Sequence, residues 1–340
     1  MVKKNTVLRI PEVYTAAAFS VSNRRMVGAG SETSGIVQLF DLESGKTEKL
    51  PGCPGGMMSF LPVPGWRESL VSIMGLFPPF IGKEAAIWLH RKTGDEWTGS
   101  KIADLPFAHR CEFFPGASTP VLVAASVSRF KKDPADWSLP GEVYVLEPDS
   151  GRKDDWTCTR IDQSITRNHG MFRGKVNGEE LMCLSGREGI FSLNRGEDGS
   201  WSLRQIFQNE VSEMTFIDLD GDGISELVTI EPFHGGSINV YKWTGDRWEP
   251  RYSGGLEFGH GLSSGMFNGT PCIAVGNRSG TLALEILKPG DFSKGELTRQ
   301  LIEKEAGPTQ TQFFHHGGRD YLLSANQKKN EVALYYEASP

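Results

Sequence analysis

The chain has 340 residues, 38% of them hydrophobic, with a net charge of −6, 40 glycines and 19 prolines. That charge gives no basic footprint for nucleic acid and no polybasic stretch for an anionic membrane surface. No run approaches the roughly 18 apolar residues that mark a spanning helix.

From the N-terminus, two lysines precede no apolar segment, so a secretory signal is not expected. The cysteines (Cys53, Cys111, Cys158, Cys183 and Cys272) are odd in number, widely spaced and never in a Cys-x-x-Cys pair. They predict free thiols in a reducing cytoplasm.

An orphan strand, Thr6 to Ile10, comes first. Segments 13–42, 56–91, 109–147, 168–194, 212–243, 259–287 and 309–336 then repeat one order of short β-branched and aromatic strands separated by Gly/Asp turns. Segment 212–243 shows the unit most cleanly: Met214 to Ile217, an Asp/Gly turn, Glu226 to Ile230, a Gly-Gly loop, Ser237 to Trp243, and a fourth strand from near Trp248. The seventh copy stops after its third strand, and the orphan strand supplies the missing one. This predicts an all-β, seven-bladed β-propeller, a single domain over 1–340, closed by the N-terminal strand completing the last blade. The blades are expected near 12–54, 55–107, 108–167, 168–211, 212–258, 259–306, and 307–340 plus 5–11. A β-sandwich or an open solenoid is the competing architecture.

The run Phe216-Ile-Asp-Leu-Asp-Gly-Asp-Gly-Ile-Ser-Glu-Leu-Val resembles the FG-GAP (VCBS-type) propeller repeat, with Gly265-Met-Phe-Asn-Gly a decayed copy. The histidines just before the repeats are similar to those of FG-GAP propellers of the aldos-2-ulose dehydratase type, and more loosely to metal-dependent polysaccharide lyases on propellers. The resemblance implies the fold rather than the reaction, because this repeat serves enzymes, adhesins and scaffolds alike.

Asp218, Asp220, Asp222 and Glu226 stand at positions 1, 3, 5 and 9 of the blade 5 turn, with Gly223 at position 6. Alternating oxygen ligands on a tight loop can wrap a Ca²⁺ ion; the other reading is a turn in which Asp and Gly satisfy local geometry. His109, His169 and His260 fall 12, 12 and 13 residues before Val121, Leu181 and Ile273, so all three occupy the start of an innermost strand, at the channel mouth on the top face. Three imidazoles on one ion is a Zn²⁺, Mn²⁺ or Fe²⁺ arrangement. Equivalent slots hold Tyr14, Met57 or Met58, Glu213, and Thr309 or Gln310. Glu213 is the expected fourth ligand or base, Tyr14 a proton donor, and His234, on a top-face loop, a further ligand or acid/base. His90 is expected at the surface, and His315 and His316 on the bottom face.

Two top-face loops are long, 75–83 in blade 2 and 128–141 in blade 3. The second carries Lys131, Lys132, Asp133, Asp136 and Trp137, an aromatic platform beside charges that suits a sugar or sugar acid. Arg167 beside the ring could hold a carboxylate, whereas strand alternation turns Arg110 away from the side His109 faces. No GxSxG elbow, P-loop or dinucleotide fingerprint is present. The leading expectation is a metal-dependent carbohydrate-active enzyme, a lyase, dehydratase or isomerase acting on a sugar or other small molecule. The alternative is a non-catalytic propeller module or scaffold for a protein or glycan.

Overall fold

A computed structural model describes residues 1–51, 54–76, 82–149, 152 and 155–337; Cys53 and part of the long blade 2 loop lie outside the described residues. The strands form seven four-stranded antiparallel sheets, each built from consecutive strands except the last. That last blade takes Pro308–His316, Arg319–Asn326 and Glu331–Glu337, and Val2–Arg9 pairs along its outer edge from Val2 opposite Glu337 to Arg9 opposite Glu331. The expected closure is therefore present, with the closing strand longer than the sequence suggested. Blade 5 consists of Glu213–Ile217, Glu226–Glu231, Ser237–Trp243 and Trp248–Gly255, nearly residue for residue as read from the sequence.

The core is distributed rather than central. Among the described residues, seven buried clusters lie between neighbouring blades; one of them joins Leu8, Val332 and Leu334 of blade 7 to Val13, Val27 and Ala29 of blade 1. Each blade is thus apolar on both faces, and burying both against neighbours is what drives a ring to form. The inner strands are also tied sideways by polar side chains. Gln310 accepts from Thr15 Oγ1 at 2.6 Å and from the Ala16 amide at 3.1 Å, and Gln312 accepts from Ala18 N at 2.7 Å, stitching blade 7 to blade 1. Thr215 and Ser264 (2.6 Å) and Ser263 and Thr311 (2.9 Å) do the same further round.

The inner strands carry a shared irregularity. Register slips between Val13 and Thr15, Ala108 and Arg110, Gly259 and Leu262, and Pro308 and Gln310. Each bulge falls at the strand start, where Tyr14, His109, His260 and Thr309 stand. A bulge re-aims the side chain at its own position and shifts the phase of those that follow.

His90 corrects the surface expectation: it is 0% exposed and hydrogen-bonds Ser72 Oγ through Nε2 at 2.8 Å. Its partner across the sheet is Gly99, whose missing side chain leaves room for the imidazole. Burial lowers the His90 pKa to about 4. The folded protein therefore holds it neutral while the unfolded chain protonates it below about pH 6.5. Its stability contribution is full above that pH and is lost as pH falls toward 4. Between pH 7.5 and 5.0, wild type is expected to lose about 2 kcal/mol more than His90→Gln in urea denaturation. Equal losses in the two proteins would refute this.

Candidate functional site at the channel mouth

At the top of the channel, His109, His169 and His260 are 2%, 2% and 1% exposed. The groups whose nitrogens converge are His169, His234 and His260, all within 4.8 Å of one another. His234 takes the place expected for His109, which stacks on His169 instead with ring centroids 4.3 Å apart. The Nδ1 of His109 is buried without a hydrogen-bond partner. Blades 3 and 4 are neighbours, so their histidines meet side by side, while His234 reaches over from the loop of blade 5.

Backbone carbonyls fix two of the rings. His169 Nδ1 donates to Ser212 O at 3.1 Å and lies 3.0 Å from Glu213 Oε1, and His260 Nδ1 donates to Thr309 O at 2.8 Å. Both Nε2 atoms are thereby left as lone pairs facing inward. The Tyr14 hydroxyl donates to His260 Nε2 at 3.0 Å, and His234 Nε2 lies 3.2 Å from His169 Nε2. Burial holds the His109 and His260 pKa values well below the ordinary range, with neighbouring histidines and arginines adding to it, and lowers that of His234 to about 2. Burial raises the Tyr14 pKa.

Glu213 projects from the start of its strand into the channel and accepts from Arg110 at 2.6 Å. Burial pushes its carboxyl upward, but Arg110 and His169 outweigh that and hold it low. Arg110 thus corrects the alternation argument, because the bulge at its strand start turns it into the channel. Below lies a cavity of about 300 Å³ lined by Arg110, Glu213, Ser263, Thr311 and, near its lower end, Glu112 and Arg173.

Above the histidines there is a roof. Phe233 stacks on His234 at 4.0 Å and packs edge-on against Trp137 at 4.9 Å, and Phe258 covers His234 at 4.7 Å. Of the residues assigned to a sugar, Lys131, Trp137 and Arg167 pack into it, Asp136 holds its own loop, and Lys132 stays exposed. Lys131 is 1% exposed, donates to Pro134 O at 2.7 Å and sits 3.3 Å over the Trp137 ring. Asp136 accepts from Lys132 N and from Ser138 within its own loop. Arg167 pairs with Glu210 at 2.7 Å and lies over Phe233 at 5.4 Å.

The acidic loop stands where expected, on the opposite face. Asp218 accepts from the amides of Gly221 and Gly223, and buried Glu226 accepts from Leu219 N. A cation that sequence reasoning missed, the Lys242 ammonium, lies 2.5, 2.7 and 3.2 Å from Asp220, Asp222 and Glu226. Lys242 comes from the third strand of the same blade, beyond any loop-spacing signal. His315, also on that face, faces Asp320 at 2.7 Å.

Fold and site together define a closed seven-bladed β-propeller with a roofed histidine cluster. No family model and no curated protein matches the sequence. Among solved structures, the chain is similar to the Cps50 (Swd1) β-propeller domain of Myceliophteria thermophila: 12% identity, TM-score 0.62, covering 99% of this chain and 100% of that one. It is also similar to Sqt1 of Saccharomyces cerevisiae, at 10% identity and TM-score 0.62, covering 98% of each chain. These likenesses show the fold. They go against the expectation of a metal-dependent carbohydrate-active enzyme and favour its alternative, a propeller module or scaffold. The physical reason lies in the roof, where Lys131, Asp136, Trp137 and Arg167 are engaged by other groups of the protein. No helix among the described residues is long and apolar enough to cross a membrane.

Proposed function

We propose that the chain is a non-catalytic propeller scaffold that docks a protein partner on its top face. One observation carries this reading. The blade 3 loop folds on itself and holds Phe130 outward, 47% exposed, on the face where Phe258 is 38% exposed. Ser128 Oγ donates toward Phe130 O at 2.8 Å and Leu139 O at 3.1 Å, and Lys131 and Trp137 lock the loop from beneath. Exposed aromatics on a pre-organised loop are the anchors that protein interfaces use, since little further ordering is needed on binding.

The test is cross-linking mass spectrometry in the source cells. It compares wild type, Phe130→Glu/Phe258→Glu, and the bottom-face control Ile224→Glu/Met266→Glu. A discrete partner cross-linked to wild type and the control, and lost from the top-face variant, supports the proposal. Cross-links unchanged by the top-face substitutions refute it.

Two finer readings go with this proposal. The run from Phe216 to Val228 supports placing blade 5 among FG-GAP (VCBS-type) repeats. The free thiols of Cys111, Cys158, Cys183 and Cys272 favour a reducing, cytoplasmic setting.

A further inference from the structure

We propose that His169, His234 and His260 form a transition-metal site that clasps blades 4, 5 and 6 together across the top of the channel. The inference goes beyond the scaffold reading, because the ion binds the ring together whatever docks above it.

The argument starts from the lone pairs. The carbonyls of Ser212 and Thr309 take the Nδ1 protons of His169 and His260 at 3.1 and 2.8 Å, so their Nε2 atoms are left as acceptors. Orientation of a ligating imidazole by a hydrogen bond on its other nitrogen is the usual outer shell of a protein metal site. His234 Nε2 meets His169 Nε2 at 3.2 Å. Two nitrogens each about 2.0–2.1 Å from a tetrahedral ion stand roughly 3.3 Å apart, so this pair already has the spacing of shared coordination. The third nitrogen lies within 4.8 Å of both. The Tyr14 hydroxyl donates to His260 Nε2 at 3.0 Å, and an ion bound there would take over that lone pair and release the hydroxyl. Neutral nitrogen donors in a closed pocket suit Zn²⁺ rather than Ca²⁺ or Mg²⁺. His109 has no part in the set: it stacks against His169 from the blade 3 side.

The experiment uses the full chain, purified with chelator, dialysed against Zn²⁺ and assayed for bound metal and melting temperature. Wild type and His109→Ala are expected to retain one equivalent and to melt higher with Zn²⁺ than without. His234→Ala, a loop substitution checked for fold by circular dichroism, is expected to bind more than about tenfold more weakly and to lose the Zn²⁺-dependent shift. Co²⁺ in place of Zn²⁺ reports the geometry through its visible absorption, with the intense bands of tetrahedral coordination expected in wild type alone of the pair. The proposal is overturned if folded wild type retains no stoichiometric metal, if His234→Ala retains it equally, or if His109→Ala loses it to the same degree.

Discussion

Removing Val2–Arg9 is expected to abolish cooperative folding rather than trim it. That strand is the fourth of blade 7, and its loss leaves Glu331–Glu337 as a bare edge. It also removes Leu8 from the cluster between blades 7 and 1 and frees an ion-pair group in which Lys4 lies 2.5 Å from Glu331 and 3.0 Å from Glu303. Burial holds the Glu331 carboxyl upward, yet Lys4, Asn326 and Thr6 together bring it below its ordinary range, so the shortened chain leaves a charged group without two of its partners. The loss is on the scale of a domain's entire stability, about 5–15 kcal/mol. Size-exclusion chromatography and a thermal melt would show an aggregated or non-cooperative chain, and a peptide of residues 1–10 added in trans should restore the transition. A truncated chain melting within a few degrees of wild type would mean that the other blades alone hold the ring.

The second large effect is expected at Arg110 and Glu213. Their 2.6 Å contact joins blade 3 to blade 5 past blade 4, with the two side chains only 13% and 9% exposed on the wall of the channel. Removing one partner strands a buried charge, which costs about 3–5 kcal/mol, whereas replacing both with apolar residues of similar volume is often close to neutral. Arg110→Met and Glu213→Leu should each destabilise strongly in urea titrations, and the double variant should recover most of the loss. Glu213 also faces His169 Nδ1, so its single variant should be the worse of the two. Additive losses in the double variant would show that the two side chains act independently.

The fold was legible because each blade repeats strand length, turn chemistry and order, and because an unpaired first strand answered an incomplete last copy. The heights of the site residues were legible for the same reason: His109, His169 and His260 each stand at the start of an innermost strand, and that places them at the mouth. What spacing does not carry is angle around the ring. His109 and His169 sit on adjacent blades and stack, while His234 arrives from a loop whose reach depends on its left-handed turn, with φ 47° at His234 itself. Arg110 was misread for a local reason, since strict alternation fails across a bulge. Lys242 and Gly99 act through cross-strand neighbours, and such pairings emerge only once register is known.

The bulges at the strand starts divide each affected inner strand into two independent registers. Above the slip, a side chain is aimed by the bulge; below it, by the pleat of the sheet. A substitution at Tyr14, His109, His260 or Thr309 therefore changes what the rim presents without rotating the residues that line the tube beneath. The rim behaves as a set of interchangeable fittings on a fixed pipe, and rims could diverge among propellers of this build while their bores stayed the same.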